Sequence, residues 1–502
     1  MFSTGAMWAT PSSGSNCRAR SRKFPQPISG GGSRSTRVVR ILAMKAPSPA
    51  EFGPSVGERI GRAILIVTIA FLTFVGGGWS VLSKTFPSDF LRNAYRASES
   101  FLAKKALSES PLRTDLWYGT RDSSRGITVY DRTEAFLGYT LFTSGDGPYA
   151  RLIDMDGRVV HEWRKPFSEI WDETAAVRRP RPDSMIYMNK AHVFPNGDLL
   201  AIYTAASDTP WGYGLVKLDR NSNVIWSYLQ RAHHDLDVSP DGRIFVLTHE
   251  FTSEKIEGVT DLARPRLDDF LVVLSPDGEE LKKISLTRAL ARSRFRQFLH
   301  AFPAFAREDP LHANTANYID SETARNLRVA QEGHVMTAFR DLGLVVAVDP
   351  ESGEIVWATR GPWLGFHDPR PLPDGRILLY DNFGAFRGGR NDSRVIEFDP
   401  VTMQIAWEYT GDDDRPFFSA LRGSAQRLPN GNTLVNEDQG GRVFEVNRAG
   451  RIVWEYVNPV RNTDPKSGAS FIPVLTGAQR IVAERFAPEF RTAIENGKEN
   501  RQ

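Results

Sequence analysis

The sequence predicts an all-β protein, a six-bladed β-propeller behind an N-terminal transmembrane helix. Three observations carry that expectation. A strand–turn–strand phrase recurs six times beyond residue 140, a second hairpin phrase precedes most of the copies, and one uncharged apolar stretch lies near the N-terminus.

The recurring phrase reads ARLIDMDGRVVHEW (150–163), GLVKLDRNSNVIWSY (214–228) and LVVLSPDGEELKKI (271–284). It returns as LVVAVDPESGEIVWAT (344–359), RVIEFDPVTMQIAWEY (394–409) and RVFEVNRAGRIVWEY (442–456). Each copy is an apolar strand, a polar turn and a second strand. Five of those second strands carry a tryptophan: Trp163, Trp226, Trp357, Trp407 and Trp454. The second phrase is FPNGDLLAIY, SPDGRIFVLT, LPDGRILLYD or LPNGNTLVNE, with a looser QEGHVMTAF ahead of the fourth copy. Its glycine supplies the positive φ that a tight turn requires. Two hairpins make a four-stranded antiparallel unit, and such units repeated every roughly 50 to 70 residues are the mark of a propeller. Six copies predict six blades over residues 127–490. ITVYD and LGYTLFTS read as opening strands of the first blade, and AQRIVAERF (478–486) as a strand that helps close the ring. A recurring tryptophan of this kind reads as packing between blades rather than as a cofactor dock.

The N-terminal region divides in three. Residues 1–62 hold ten Lys/Arg against Glu51 and Glu58, a local +8 in a chain of net +3, which leaves −5 for the rest. This basic tail is rich in Ser, Gly and Pro and too poor in apolar residues to fold, so it is expected to be disordered. Its charge sits in a tail and not on a folded face, which argues against a nucleic-acid protein. Met44 is an alternative start. Residues 63–83 contain no charge and match the length of a membrane span. Arg59 and Arg62 precede them, so the basic end is expected to be cytoplasmic and the propeller periplasmic or otherwise outside the inner membrane. Residues 84–126 are expected to form a helical stalk or linker, from the apolar spacing in 86–110. The one cysteine, Cys17, lies in the tail, so no disulfide framework holds the exported part.

The histidines are the chemical signal. His367 stands six residues before Pro373 and His234 six before Pro240, each followed by an aspartate, in HDPRPLPDG and HDLDVSPDG. His312 opens the fourth blade in DPLHANTANYI, and Gly423 takes the matching position in the sixth. In a propeller, the residues just before this turn phrase face the central channel. Three consecutive blades thus aim a histidine at one space, with His233 the substitute for His234 if the register differs by one. Arg340 ends the strand of TAFRDLG, and Asn314 lies two residues after His312, on the same side of a strand. A guanidinium beside imidazoles suits a tetrahedral oxyanion. Asp235 and Asp368 read as caps of their local turns. His161, His192, His249, His300 and His334 read as structural.

The segments WLGFHDPRPLPDGRILLYDN, DPLHANTANYI, TAFRDLGLVVAVDPESGEIVW and HHDLDVSPDGRIFVLT together resemble the bacterial arylsulfate sulfotransferases, in chain order from about residue 127 to 460. The resemblance implies a sulfotransferase that moves a sulfuryl group from an aryl sulfate ester to a phenolic acceptor, anchored in this chain by the apolar stretch 63–83. It implies no cofactor, no metal and no nucleotide sulfate donor. By position His367 would be the transiently sulfated nucleophile, with His312, His234 and Arg340 as catalytic partners and Asn314 binding substrate. This chain departs from the well-known members in its membrane anchor, in lacking their disulfide and in the DPRP that follows His367. Two other readings stay open on the residues alone: a metal held by the axial histidines, and a non-catalytic propeller that binds a partner or an anionic ligand in its channel.

Overall fold

The computed structural model describes residues 55–83, 85–86, 112, 114–208, 211–260, 262–303, 306–387 and 390–499. The chain divides into two compact units, residues 1–105 and 106–502.

In the first unit a helix runs Val56–Ser83. Ser55 and Glu58 cap it reciprocally: the Ser55 N–H donates to the Glu58 carboxylate at 2.9 Å, and the Glu58 N–H donates to the Ser55 hydroxyl at 3.3 Å. That cap explains a correction to the expected tail, because residues 56–62 are helical. The helix is about 42 Å long at 1.5 Å per residue. Ile64, Leu65, Phe71, Leu72 and Phe74 are all exposed on it. It is long and apolar enough to cross a membrane. Residues 1–54 of the expected tail, and nearly all of the expected stalk helix over 86–110, lie outside the described residues.

The second unit is almost wholly β. Its apolar residues alternate or run continuously over five to eleven positions, then break at Gly or Asp turns, which is the pattern of stacked sheets buried on both faces. The first sheet orders Leu475–Ile481, Tyr139–Ser144, Tyr149–Ile153 and Val159–Arg164. The second holds Ile186–Val193, Leu199–Ala205, Gly212–Leu218 and Val224–Tyr228. The third holds Ala232–Val238, Ile244–Thr252, Arg266–Leu274 and Glu280–Ser285. The fourth holds Asn317–Tyr318, Val335–Phe339, Leu344–Asp349 and Glu354–Arg360, and the fifth His367–Pro371, Ile377–Arg387, Arg390–Phe398 and Ile405–Tyr409. The sixth holds Ser424–Arg427, Thr433–Glu437, Arg442–Val446 and Ile452–Val457, with Gly126–Tyr130 added outside. All neighbours are antiparallel, and the first-named strands of successive sheets touch in cyclic order, the sixth meeting the first.

Two expectations change here. Gly126–Tyr130, the ITVYD segment, does not open the first sheet; it pairs with Ile452–Val457 of the sixth. The open edge of that last strand offers unpaired N–H and C=O groups, and the N-terminal strand satisfies them. The expected linker 84–126 also contains a strand, Trp117–Gly119, which joins Ser470–Pro473 and Asn462–Thr463 in a small sheet. Leu475–Ile481 pairs with Tyr139–Ser144, so the first half of the strand read from residues 478–486 completes the first sheet, while Ala483–Arg485 turn into a 3₁₀ segment.

The tryptophans act as read. Four of the five indole N–H groups donate to a turn carbonyl of the next sheet: Trp163 to Gly197 at 3.0 Å, Trp226 to Pro276 at 3.2 Å, Trp407 to Arg448 at 3.1 Å and Trp454 to Met155 at 3.0 Å. Trp357 packs into the cluster that holds Met403 of the fifth sheet. The third sheet has Lys282 at this register position, and its ammonium donates to the Glu351 carbonyl in the fourth. Each link buries an apolar stem or ring and satisfies a turn carbonyl in one step.

Candidate functional site

The inner strands begin with backbone that few residues tolerate. His234, His312 and Asp368 have φ of 55°, 48° and 51°, and Arg422 has 59°. A left-handed residue other than glycine costs about 1 kcal/mol or more, so four of them at the start of four successive sheets mark a place where side-chain aim outweighs backbone comfort. Gly423 follows with φ 111°; a Cβ there would lie 2.4 Å from the Tyr380 ring. The glycine at the sixth sheet's matching position is therefore a steric requirement.

Three of the predicted residues, His234, His367 and Asn314, line one cavity, together with Lys190, Asp368 and Arg422. His312 adjoins it, its ring 5.1 Å from that of His234. Arg340 starts a short 3₁₀ turn directly after Val335–Phe339. Its charge, after burial, holds the His312 and His367 imidazoles well below their usual range, to about 3 in each case. His234 is pushed down as well, by burial and then by His233. All three imidazoles are thus neutral at physiological pH and offer a lone pair.

Hydrogen bonds decide which nitrogen offers it. The Asn382 amide nitrogen donates to the Ser419 and Arg422 carbonyls, both at 2.7 Å. The amide oxygen is thereby turned to His367 Nδ1 at 2.8 Å, so Nδ1–H is the donor and Nε2 carries the lone pair. His312 Nδ1 lies 2.6 Å from the Asp309 carboxylate and donates to it. Arg340 Nε is held by Asp341 at 2.8 Å. Asn314 Nδ2 donates to the Phe366 carbonyl at 2.9 Å, which ties the fourth sheet to the residue before His367.

Asp235 and Asp368 do not cap their own turns. Asp235 accepts from the Ala316 N–H and pairs with Lys190 at 2.9 Å. Asp368 accepts from the Asn317 amide, from Arg370 and from the Ala425 N–H. Each clips one inner strand to its neighbours, because these strands leave the next sheet's backbone N–H groups without a ladder partner.

Sequence reasoning missed three residues. Asn382 stands in the quoted LLYDN, where it reads as strand. Arg422 is one residue before Gly423; it pairs with Asp115 at 2.5 Å and brings a guanidinium to the cavity, whose lining does not include Arg340. Trp211 follows a strand in a loop with no motif, yet its ring lies 5.7, 5.3 and 5.1 Å from those of His234, His312 and His249.

Residues 190–459 match the family model described as Arylsulfotransferase (ASST). No curated protein matches the chain. Among solved structures, a Bacteroides caccae protein of unknown function aligns at 13% identity over 68% of this chain and 99% of its own, with a TM-score of 0.40. A catalytically inactive virginiamycin B lyase from Staphylococcus aureus with quinupristin aligns at 11% over 70% and 90%, TM-score 0.36. The WD40 β-propeller domain of Doa1 aligns at 10% over 75% and 99%, TM-score 0.37.

Proposed function

The chain belongs to the arylsulfotransferase family, and on that premise we propose that it is a membrane-anchored arylsulfate sulfotransferase working through a sulfohistidine. In this reading the six sheets are the blades of a closed propeller, supported by the cyclic contacts of the inner strands and by the Trp and Lys links between sheets. The helix Val56–Ser83 spans the inner membrane with its basic side cytoplasmic, and the propeller stands in the periplasm.

His367 Nε2 attacks the sulfur of an aryl sulfate. The N–S bond forms as the S–O bond to the aryl oxygen breaks, and the phenolate takes a proton from His234. A second phenol then gives its proton to that histidine and its oxygen attacks sulfur, which breaks the N–S bond and frees His367. Arg340 and Arg422 meet the charge on the three sulfuryl oxygens, with Asn314 beside them. Trp211 offers a flat wall to the aryl ring. No step calls for a metal or an organic cofactor.

The single observation that supports this reading best is the His367–Asn382 bond, because the twice-anchored amide leaves His367 one nucleophilic nitrogen. Intact mass after incubation with an aryl sulfate tests it. A gain of one sulfuryl group, acid-labile, mapped to His367 and lost in His367→Ala, is expected. Unchanged mass together with full transfer activity would sink the covalent step.

A further inference from the structure

Behind the axial cavity lies a second set of donors that sulfuryl transfer does not use. His233 is on Ala232–Val238, His249 on Ile244–Thr252, and Asp269 sits opposite His249 on Arg266–Leu274. All three are buried, at 1%, 1% and 3% exposure. The two imidazoles stack with centroids 4.3 Å apart. His233 Nε2 lies 3.5 Å from Asp269 Oδ1, and one ligand atom from each residue falls within 4.8 Å of the others. Neither His249 nitrogen, nor His233 Nε2, has a hydrogen-bond partner among the described residues. A buried polar atom left so forfeits its hydration without recompense, and His233 Nε2 together with a nitrogen of the stacked His249 ring calls for an occupant.

The outward atoms of two of the three residues are already held. Asp269 Oδ2 accepts from the Ala313 N–H at 2.7 Å, and His233 Nδ1 lies 2.6 Å from His234 Nδ1. That is the supporting layer a metal ligand needs to keep its orientation. Ligands about 2.0–2.1 Å from a tetrahedral ion stand roughly 3.3 Å apart, close to the His233–Asp269 separation. Two imidazoles with one carboxylate suit zinc and its neighbours, whereas magnesium and calcium prefer oxygen. Arg231 faces His249 and opposes a cation; Asp269 in the site and Asp309 facing His233 offset it.

We propose that His233, His249 and Asp269 bind one divalent transition-metal ion of the zinc class, with a fourth position open. The ion takes His233 Nε2, so His233 Nδ1 keeps its proton and donates it to His234 Nδ1. His234 then carries its own proton on Nε2, the form that can protonate a leaving phenolate. The metal thus acts as a positioning element for His234 and touches no substrate.

The test uses the full chain in detergent, freed of any affinity tag, stripped with a chelator and dialysed against zinc alone. Elemental mass spectrometry should find one zinc per chain, and the melting temperature should rise. His249→Gln and Asp269→Asn, checked for native circular dichroism, should each weaken binding by about 100-fold or more. His312→Ala should keep the ion. No zinc above buffer level in the parent protein, full retention in both ligand variants, or loss in His312→Ala would each overturn the site. Occupancy is read without any sulfate ester, so its outcome is separate from that of the transferase reading.

Discussion

In the third sheet the histidine six residues before Pro240 follows another histidine; in the fifth, the one six before Pro373 follows Phe366. The hairpins then diverge. His367 pairs with Tyr380 and Arg370 with Leu378, so Asp368 and Pro369 oppose Leu379 alone. In the third sheet His233 pairs with Leu247 and Leu236 with Val246, so His234 and Asp235 are both extruded between adjacent partners. The residue in the paired slot of His367 is therefore His233, while His234 reaches the cavity from a bulge. Two positions on from the partner strand's Tyr380 is Asn382; two on from Leu247 is His249. The same architectural pair is imidazole and amide in one sheet and imidazole and imidazole in the other. Bulge length, more than residue identity, decides which histidine faces the axis.

The comparison is most severely tested by removing each axial histidine. On the proposed mechanism His367→Ala should lower kcat/KM by roughly 10⁴-fold or more, since it removes the attacking nitrogen. His234→Ala should cost about 10²-fold, the share of one proton-transfer group. Steady-state rates with an aryl sulfate check both, and equal losses would break the distinction between paired and bulged histidines. Asn382→Ala comes next. Loss of the Nδ1 acceptor frees the ring to turn, and kcat should fall about 10²-fold with KM little changed.

Between-sheet links give smaller effects. Trp407→Ala should destabilise by about 2 kcal/mol in chemical denaturation, as a half-buried ring and its hydrogen bond are lost. Lys282→Ala, at the same register position of the third sheet, should cost less than about 1 kcal/mol. A reversal of that order would show that the third sheet depends on its lysine. The smallest effect is expected from pH. His367 and His312 are held to about 3 in the folded state. His367 should therefore not titrate near pH 6.5, and on the proposed mechanism kcat/KM should show no acid limb there. Imidazoles that fold neutral but charge when unfolded give stability present above the unfolded value near 6.5 and lost as pH falls toward the folded one. Melting temperature should decline over that window, ahead of any loss caused by protonation of the site.

The repeats, the four-strand units and the tryptophan links could be read from the sequence because each recurs with local periodicity. His234 and His367 could be singled out for the same reason, as one residue type six positions before a recognisable turn, whereas His312 has no such turn at that distance and was marked only by its place at the start of the fourth repeat. Gly126–Tyr130 was assigned to the first sheet because adjacency in sequence is the only local guide, and pairing across more than 300 residues leaves no mark in the strand itself. Asn382 and Trp211 escaped because their roles come from what lies across the axis. His249 read as structural for a similar reason: nothing near it in sequence announces His233 or Asp269, and only the bulge and the strand register bring them together.

The strand Leu475–Ile481 is the innermost of the sheet whose other members come from residues 139–164. A ribosome makes that strand last, more than 300 residues after its partners. Until it emerges, Tyr139–Ser144 offers a bare edge to any passing chain, and Thr476, which lines the cavity, is not yet in place. Synthesis therefore leaves the pocket incomplete until this strand follows, more than 300 residues behind its partners.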